Sequence, residues 1–257
     1  MTVEPQLAAL GDLDVFYFDI PGEIAEAPPI VLIHGFASTA QVNWLGTGWV
    51  KMLSAVTSRV IAFDNRGHGG STKFYRAEEY GPDIFAADTV ALMDHLGIQQ
   101  ADIMGYSMGA RITAYLSYWA PERVRRAVFG GMGINIFGNK GGYEPVAEAL
   151  EADDPSTISD QRGFGFRAFA DRVGADRLAL AACIRKSQVQ ITAQIVSSIT
   201  TPVLIAVGTD DEIAGSPHEL AELMPNAAGF DIDGADHMKA TGAPTYKARV
   251  IEFLRQE

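Results

Sequence analysis

Among its 257 residues the chain has one cysteine, Cys183, so no disulfide can close within it and no multi-cysteine metal site can be built. Basic residues are the second shortage. Lysine and arginine total 20 against 32 aspartates and glutamates, a formal net charge of −12, and a surface of that sign repels phosphate backbones and anionic membranes. Nucleic-acid binding is therefore not expected. No run of eighteen apolar residues occurs, so no membrane-spanning helix is expected either. The opening residues, Met1 to Gln6, show no basic segment followed by an apolar stretch, which makes a cytoplasmic location the expectation. Repeats, low-complexity tracts and linkers are also missing. What remains is a composition of 47% hydrophobic and 20% charged residues, ordinary for a folded chain that can bury a full core as one large domain or a domain with an insertion.

Apolar runs and helical periods alternate along most of the chain. Asp14 to Ile20 is aromatic and β-branched and stops at Pro21-Gly22, the pattern of a strand and turn. Ile30 to Ile33, Arg59 to Phe63, Ala101 to Met104, Val124 to Phe129, Pro202 to Val207 and Gly229 to Ile232 read as further strands. Their continuous apolar character suits strands buried on both faces. Helices are expected over Trp44 to Ala55, Ile84 to Leu96, Arg111 to Trp119 and Pro244 to Leu254, the second stopping at Gly97 and the third before Pro121. The alternation predicts a mostly parallel central sheet with helices on both faces, and ligands at the strands' C-terminal ends.

Residues 134–199 break the pattern. This stretch contains no convincing strand, only helical segments near Tyr143 to Glu151, Asp160 to Val173, Ala175 to Ser187 and Val189 to Ser198. Inserted between two sheet strands, it reads as a small helical lid over the strand ends. The core domain is then 1–133 with 200–257. The segment's aromatic run, Phe164, Phe166 and Phe169, serves mainly to hold the lid helices together and collectively suits the wall of an apolar pocket.

The stretch that organises the chain is Gly105-Tyr106-Ser107-Met108-Gly109. It lies between a predicted strand and a predicted helix, so Ser107 must occupy a very sharp turn. The two glycines make room for that turn, since a side chain at either would collide with neighbouring backbone. Ser107 is lifted above the sheet at a helix N-terminus, where free N–H groups favour developing negative charge. This is the geometry of a nucleophile elbow.

A serine nucleophile needs a base, and the base needs a carboxylate to fix its tautomer. Of five histidines, His95 and His218 fall in surface helix positions, and His34 and His68 lie in glycine-containing loops before the serine. His237 alone follows the last strand. With that order the chain from Ile30 onward resembles an α/β-hydrolase, in which nucleophile, acid and histidine succeed one another along the sequence.

The resemblance implies Ser107, Asp211 and His237 as the catalytic residues. Asp211 is chosen because the family's acid commonly lies three residues past the strand-ending glycine, here Gly208; Asp210 is the fallback. His34-Gly35-Phe36 resembles the family's His-Gly-x loop, which implies the backbone N–H groups of Phe36 and Met108 as the oxyanion hole. His34, and the Asp64 to Ser71 turn with His68, then serve as loop scaffold.

The implied function is a serine esterase that needs no cofactor or metal. No Gly-x-Gly-x-x-Gly loop follows the first buried strand. A small-molecule ester or lactone is the expected partner. Enol-lactonases, C–C bond hydrolases and cofactor-free perhydrolases share the machinery, and a hydrolase-like ligand-binding receptor with little turnover is the alternative of another class. A serine at the elbow departs from the haloalkane dehalogenases and epoxide hydrolases, which carry aspartate there.

Overall fold

The computed structural model describes residues 3–138, 142–186 and 191–256. Eight strands form one sheet: β1 (Gln6–Leu10), β2 (Leu13–Pro21), β3 (Ile30–Ile33), β4 (Arg59–Phe63), β5 (Ala101–Tyr106), β6 (Val124–Gly130), β7 (Val203–Gly208) and β8 (Ala227–Ile232), in the order β1-β2-β4-β3-β5-β6-β7-β8. From β4 to β8 all neighbours are parallel, whereas β1 and β2 form an antiparallel edge. The mostly parallel sheet expected from the alternation is present.

The side chains of β3 show why its sequence carries no polar alternation. Val31 and Ile33 enter one apolar core, Ile30 and Leu32 the other, and all four are buried. A strand covered on both faces must be apolar at every position. The first core is closed by α2 (Pro82–His95) and α3 (Met108–Trp119), with Leu220 of α8 (Pro217–Ala221). The second is closed by α1 (Trp49–Ser54) and α9 (Pro244–Leu254), where Trp49 stacks edge-on against Trp44 and Tyr246. Truncating a side chain of that size in such a core costs about 3–5 kcal/mol.

Between β6 and β7 run α4 (Glu144–Glu151), α5 (Gln161–Val173), α6 (Arg177–Lys186) and α7 (Ala193–Ser197). Asp160 caps α5 by accepting from the Gly163 amide at 2.6 Å, and Gly174 ends it at φ +69°, where a residue with a Cβ would be strained. The helix expected from Val189 begins at Ala193 among the described residues, and the expected boundaries at Ser187 and Val189 lie outside them. Buried Arg167 ties α5 to the end of α4 through the carbonyls of Ala149 and Ala152.

Two features differ from the sequence expectation. Strand β1 was not anticipated, because Gln-Leu-Ala-Ala-Leu lacks the β-branched and aromatic residues that mark strands. It forms through register with β2 across a two-residue turn, Gly11-Asp12, with Gly11 at φ +71°. The helix expected over Trp44 to Ala55 is interrupted. Gln41–Leu45 forms a wide turn in which the Gly46 amide donates to the Gln41 carbonyl, and α1 restarts after Gly48 at φ +81°.

Candidate active site

Strand β5 ends at Tyr106, α3 begins at Met108, and Ser107 between them has φ 55° and ψ −111°. Such a conformation costs a non-glycine residue on the order of 1–3 kcal/mol and persists only where its surroundings enforce it. Here the Ser107 amide donates to the Gly130 carbonyl, and the Ser107 carbonyl accepts from the amides of Ala110 and Arg111. The glycines are required by close approach. A Cβ on Gly105 would stand 2.1 Å from the Gly109 carbonyl oxygen, and one on Gly109 would stand 2.0 Å from that of Ile33. The sharp turn inferred from the pentapeptide is the turn observed.

The loops after β7 and β8 bring the other two named side chains to this serine. His237 Nε2 lies 3.0 Å from Ser107 Oγ, and His237 Nδ1 lies 2.6 Å from Asp211 Oδ2. With a carboxylate at Nδ1, that nitrogen carries the proton, and Nε2 presents its lone pair to the hydroxyl. Asp211 Oδ1 accepts from the amides of Ile213 and Ala214 at 2.9 and 3.0 Å. Burial alone would raise the Asp211 carboxyl, but the hydrogen bond and electrostatic attraction of His237 and the two amides outweigh it and hold the pKa below its ordinary value. The adjacent Asp210 is exposed, and the hydrogen bond to its side chain is a 3.4 Å contact from the Thr209 hydroxyl. Of the two aspartates, Asp211 is the one that reaches His237.

Phe36, three residues past the end of β3, and Met108, the first residue of α3, line one cavity with Ser107. Among the described residues no hydrogen bond within the chain uses either amide. Only two non-glycine residues there have positive φ, Ala37 and Ser107. One follows Phe36 and the other precedes Met108, so backbone strain is concentrated at the two turns that carry the expected oxyanion donors.

The Phe36 turn is braced from beneath. His34 Nε2 accepts from the Asn65 amide at 3.0 Å, and His34 packs against His68 with ring centroids 5.1 Å apart. Burial lowers the pKa of His34 to about 4; burial, then the neighbouring His34, lowers that of His68 to about 3. Both rings are neutral scaffold at neutral pH, the role expected of them. His95 and His218 are exposed, and His218 pairs with Asp231.

Two residues that hold the site were not singled out in the sequence. Asn43 Oδ1 accepts from the Gly35 amide at 3.0 Å and fixes the loop before Phe36. Tyr106 donates its hydroxyl to the His237 carbonyl at 2.5 Å and fixes the histidine loop from 131 positions away. Asn43 carries no local signal, since it lies just before the stretch that reads as helix and belongs to no motif. Tyr106 occupies the free position before the serine, where the motif accepts any residue.

Ser107 and His237 border two cavities. One, of about 430 Å³, is walled by Val42, Phe166, Phe169, Ile213 and Met238. The other, of about 70 Å³, lies among Met108, Arg111, Asn135, Tyr143 and Ala214. Phe36, Arg162 and Phe166 border both. Phe36 and Phe166 meet edge-on at 5.5 Å, joining α5 to the β3 turn. Of the three phenylalanines in that run, Phe166 and Phe169 line the larger cavity, while Phe164 is exposed.

Residues 28–180 match the family model described as alpha/beta hydrolase fold. Among curated proteins, a dihydrolipoyllysine-residue acetyltransferase component of an acetoin cleaving system from Pseudomonas putida is 29% identical over 270 residues, 98% of this chain and 70% of that protein. A 2-hydroxymuconate semialdehyde hydrolase from Pseudomonas sp. (strain CF600) is 35% identical over 156 residues, 59% of this chain and 51% of that protein. The chain thus spans about half the length of the second relative. Among solved structures, an enol-lactonase from Burkholderia xenovorans LB400 superposes with a TM-score of 0.78 at 20% identity, covering 98% of this chain and 100% of that one. At that identity the likeness is one of fold.

Proposed function

We propose that this chain, which belongs to the alpha/beta hydrolase fold family, is a serine hydrolase that cleaves carboxylic esters, open or cyclic, through an acyl-enzyme. The observation that carries the reading is the unbroken line from Asp211 through His237 to Ser107, with links of 2.6 and 3.0 Å, at a serine that borders two cavities.

In this reading Ser107 Oγ attacks the acyl carbon while His237 Nε2 takes its proton, and ionised Asp211 stabilises the imidazolium that forms. The carbonyl oxygen becomes an oxyanion held by the Phe36 and Met108 amides, donors already fixed in place before charge develops. Collapse of the tetrahedral intermediate breaks the bond to the leaving oxygen, which receives the proton from His237. Water then attacks the acyl-enzyme with the same histidine as base, releasing the acid and restoring Ser107. The helices of residues 134–199 act as a cap whose Phe166 and Phe169 present an apolar wall to a small-molecule ester or lactone.

Steady-state hydrolysis of a short-chain 4-nitrophenyl ester tests this. Many turnovers per chain, abolished by Ser107→Ala with the unfolding temperature unchanged, are expected. Release of one equivalent or less overturns the reading in favour of a binding protein, and activity near wild type in Ser107→Ala rules out this nucleophile.

A further inference from the structure

The smaller cavity beside Ser107 is lined by a positive charge that, among the described residues, no acidic side chain pairs. Arg111 lies four residues beyond Ser107, one turn into α3, and lines this cavity together with Asn135 and Tyr143. Among the described residues its only hydrogen bond runs from Nη1 to the Ile136 carbonyl at 3.0 Å. A guanidinium has five N–H donors and keeps its proton at any ordinary pH. Burial draws its pKa below the ordinary arginine value, opposed only by Tyr143, with no carboxylate contributing.

Other arginines drawn into the protein are treated differently. Arg66 pairs with Asp88, Arg125 with Asp102 and Arg167 with Asp171, at 2.5 to 2.9 Å. Arg126 has no acid within ion-pair distance among the described residues, but it ends on the Gln256 carbonyl and the Phe253 ring and lines neither cavity at the serine. Arg111 is set apart because its unspent donors face a cavity next to the nucleophile. Arg162 stands at the border of both cavities, over the rings of Tyr143 and Phe166 at 5.0 and 6.0 Å, and it too has no acid partner among the described residues.

A charge held this way is costly unless an anion or water meets it. The cavity's volume of about 70 Å³ is room for a few waters or one compact polar group. The geometry points to a substrate ester that carries a carboxylate, seated in the small cavity against the Arg111 guanidinium, with the rest of the molecule in the larger apolar cavity. Arg162 adds a second positive charge at the border. This assignment rests on the serine-hydrolase reading and narrows its substrate class to acidic esters. The net charge of −12 does not oppose it. Salt screens the distant surface beyond roughly 8–10 Å, whereas a charge-assisted pair inside a cavity is screened far less.

The test compares the monoanionic 4-nitrophenyl hydrogen glutarate with the neutral 4-nitrophenyl pentanoate. The expected kcat/KM favours the anionic ester by at least tenfold in the wild-type chain. Arg111→Met lowers that ratio at least tenfold, and Arg111→Lys restores part of it. Because Arg111 also holds the Ile136 carbonyl, general damage from its loss would slow both esters alike and leave the ratio unmoved. An unchanged ratio, or no wild-type preference, overturns the assignment. A second reading needs no turnover: calorimetric titration of Ser107→Ala with the intact hemiester should show binding that weakens at least tenfold when Arg111→Met is added. Binding of this kind in a chain whose wild type hydrolyses neither ester would keep the carboxylate site and sink the serine-hydrolase reading. Absence of binding sinks the carboxylate site whatever the kinetics.

Discussion

His34 with His68, and His237, lie in loops at the C-terminal ends of strands of one sheet, but their surroundings give them opposite properties. His34 and His68 are essentially fully buried. His34 has both ring nitrogens engaged, to Gly35 and Asn65, and His68 has Nδ1 on the Arg66 carbonyl and a buried Nε2 with no hydrogen-bond partner among the described residues. His237 keeps about 15% of its side chain accessible, has a carboxylate at one nitrogen, and turns the other to a serine hydroxyl beside two cavities. Desolvation without an ionised partner at hydrogen-bond distance makes an inert brace. A carboxylate at Nδ1 and an open approach to Nε2 are what the proposed base requires. Residue type does not distinguish them; the partner and the path to the cavity do.

The largest expected effect tests that contrast directly. His237→Ala should lower kcat for a 4-nitrophenyl ester by about 10⁵ or more, since members of such a set act as a unit, and the unfolding temperature should barely move. His68→Gln should do the reverse, lowering the unfolding temperature while kcat changes by less than about tenfold. Equal kinetic losses at both, with stability intact, would erase the distinction.

Next in size is the acid. Asp211→Asn should cut kcat by roughly 10⁴, because an amide can hold the imidazole in the wrong tautomer and cannot stabilise the imidazolium. Asp210→Asn, at an exposed side chain that does not reach His237, should cost no more than about threefold. Measuring both on one ester, with thermal unfolding alongside, sharpens the contrast; a reversed order would place the carboxylate wrongly.

The smallest effect is on stability against pH. The unfolded chain binds protons at histidines from about pH 6.5 downward, but folded His34 and His68 resist protonation until about 4 and 3. Over that window the unfolded state holds more protons, so the stability contributed by the buried neutral rings is full above pH 6.5 and is lost as the pH falls. Asp102, raised to about 6 by burial despite Arg125, works in the opposite sense. Urea unfolding of His68→Gln between pH 7 and 4 should therefore show a shallower loss on acidification than wild type. An equal or steeper loss would mean that His68 is not held neutral.

The parts of the fold readable from sequence are those written in local chemistry. The apolar runs of β3 to β7 announce strands buried on both faces, and Gly105 and Gly109 announce a turn that no other residue could make. The unread parts depend on distant groups. Strand β1 has no intrinsic strand character and exists because β2 offers it a ladder. The break at Gly46 to Gly48 competes with a helical hydrophobic pattern that continues on either side of it. Chain order named Ser107, Asp211 and His237, and they meet in space. Asn43 beneath Gly35, Tyr106 behind His237 and the Arg111 donors left unpaired among the described residues have no local signature, because each acts through a partner or a cavity that only the folded chain assembles.

The central claim is that His237 activates Ser107, and covalent labelling reads it without knowledge of the substrate. The chain is treated with a fluorophosphonate, and the adduct is located by peptide mass spectrometry in wild type, His237→Ala and His68→Gln. One adduct is expected, on Ser107, formed at near wild-type rate in His68→Gln and slowed by at least about a thousandfold in His237→Ala. An adduct on another residue, or Ser107 labelled equally fast without His237, would contradict it.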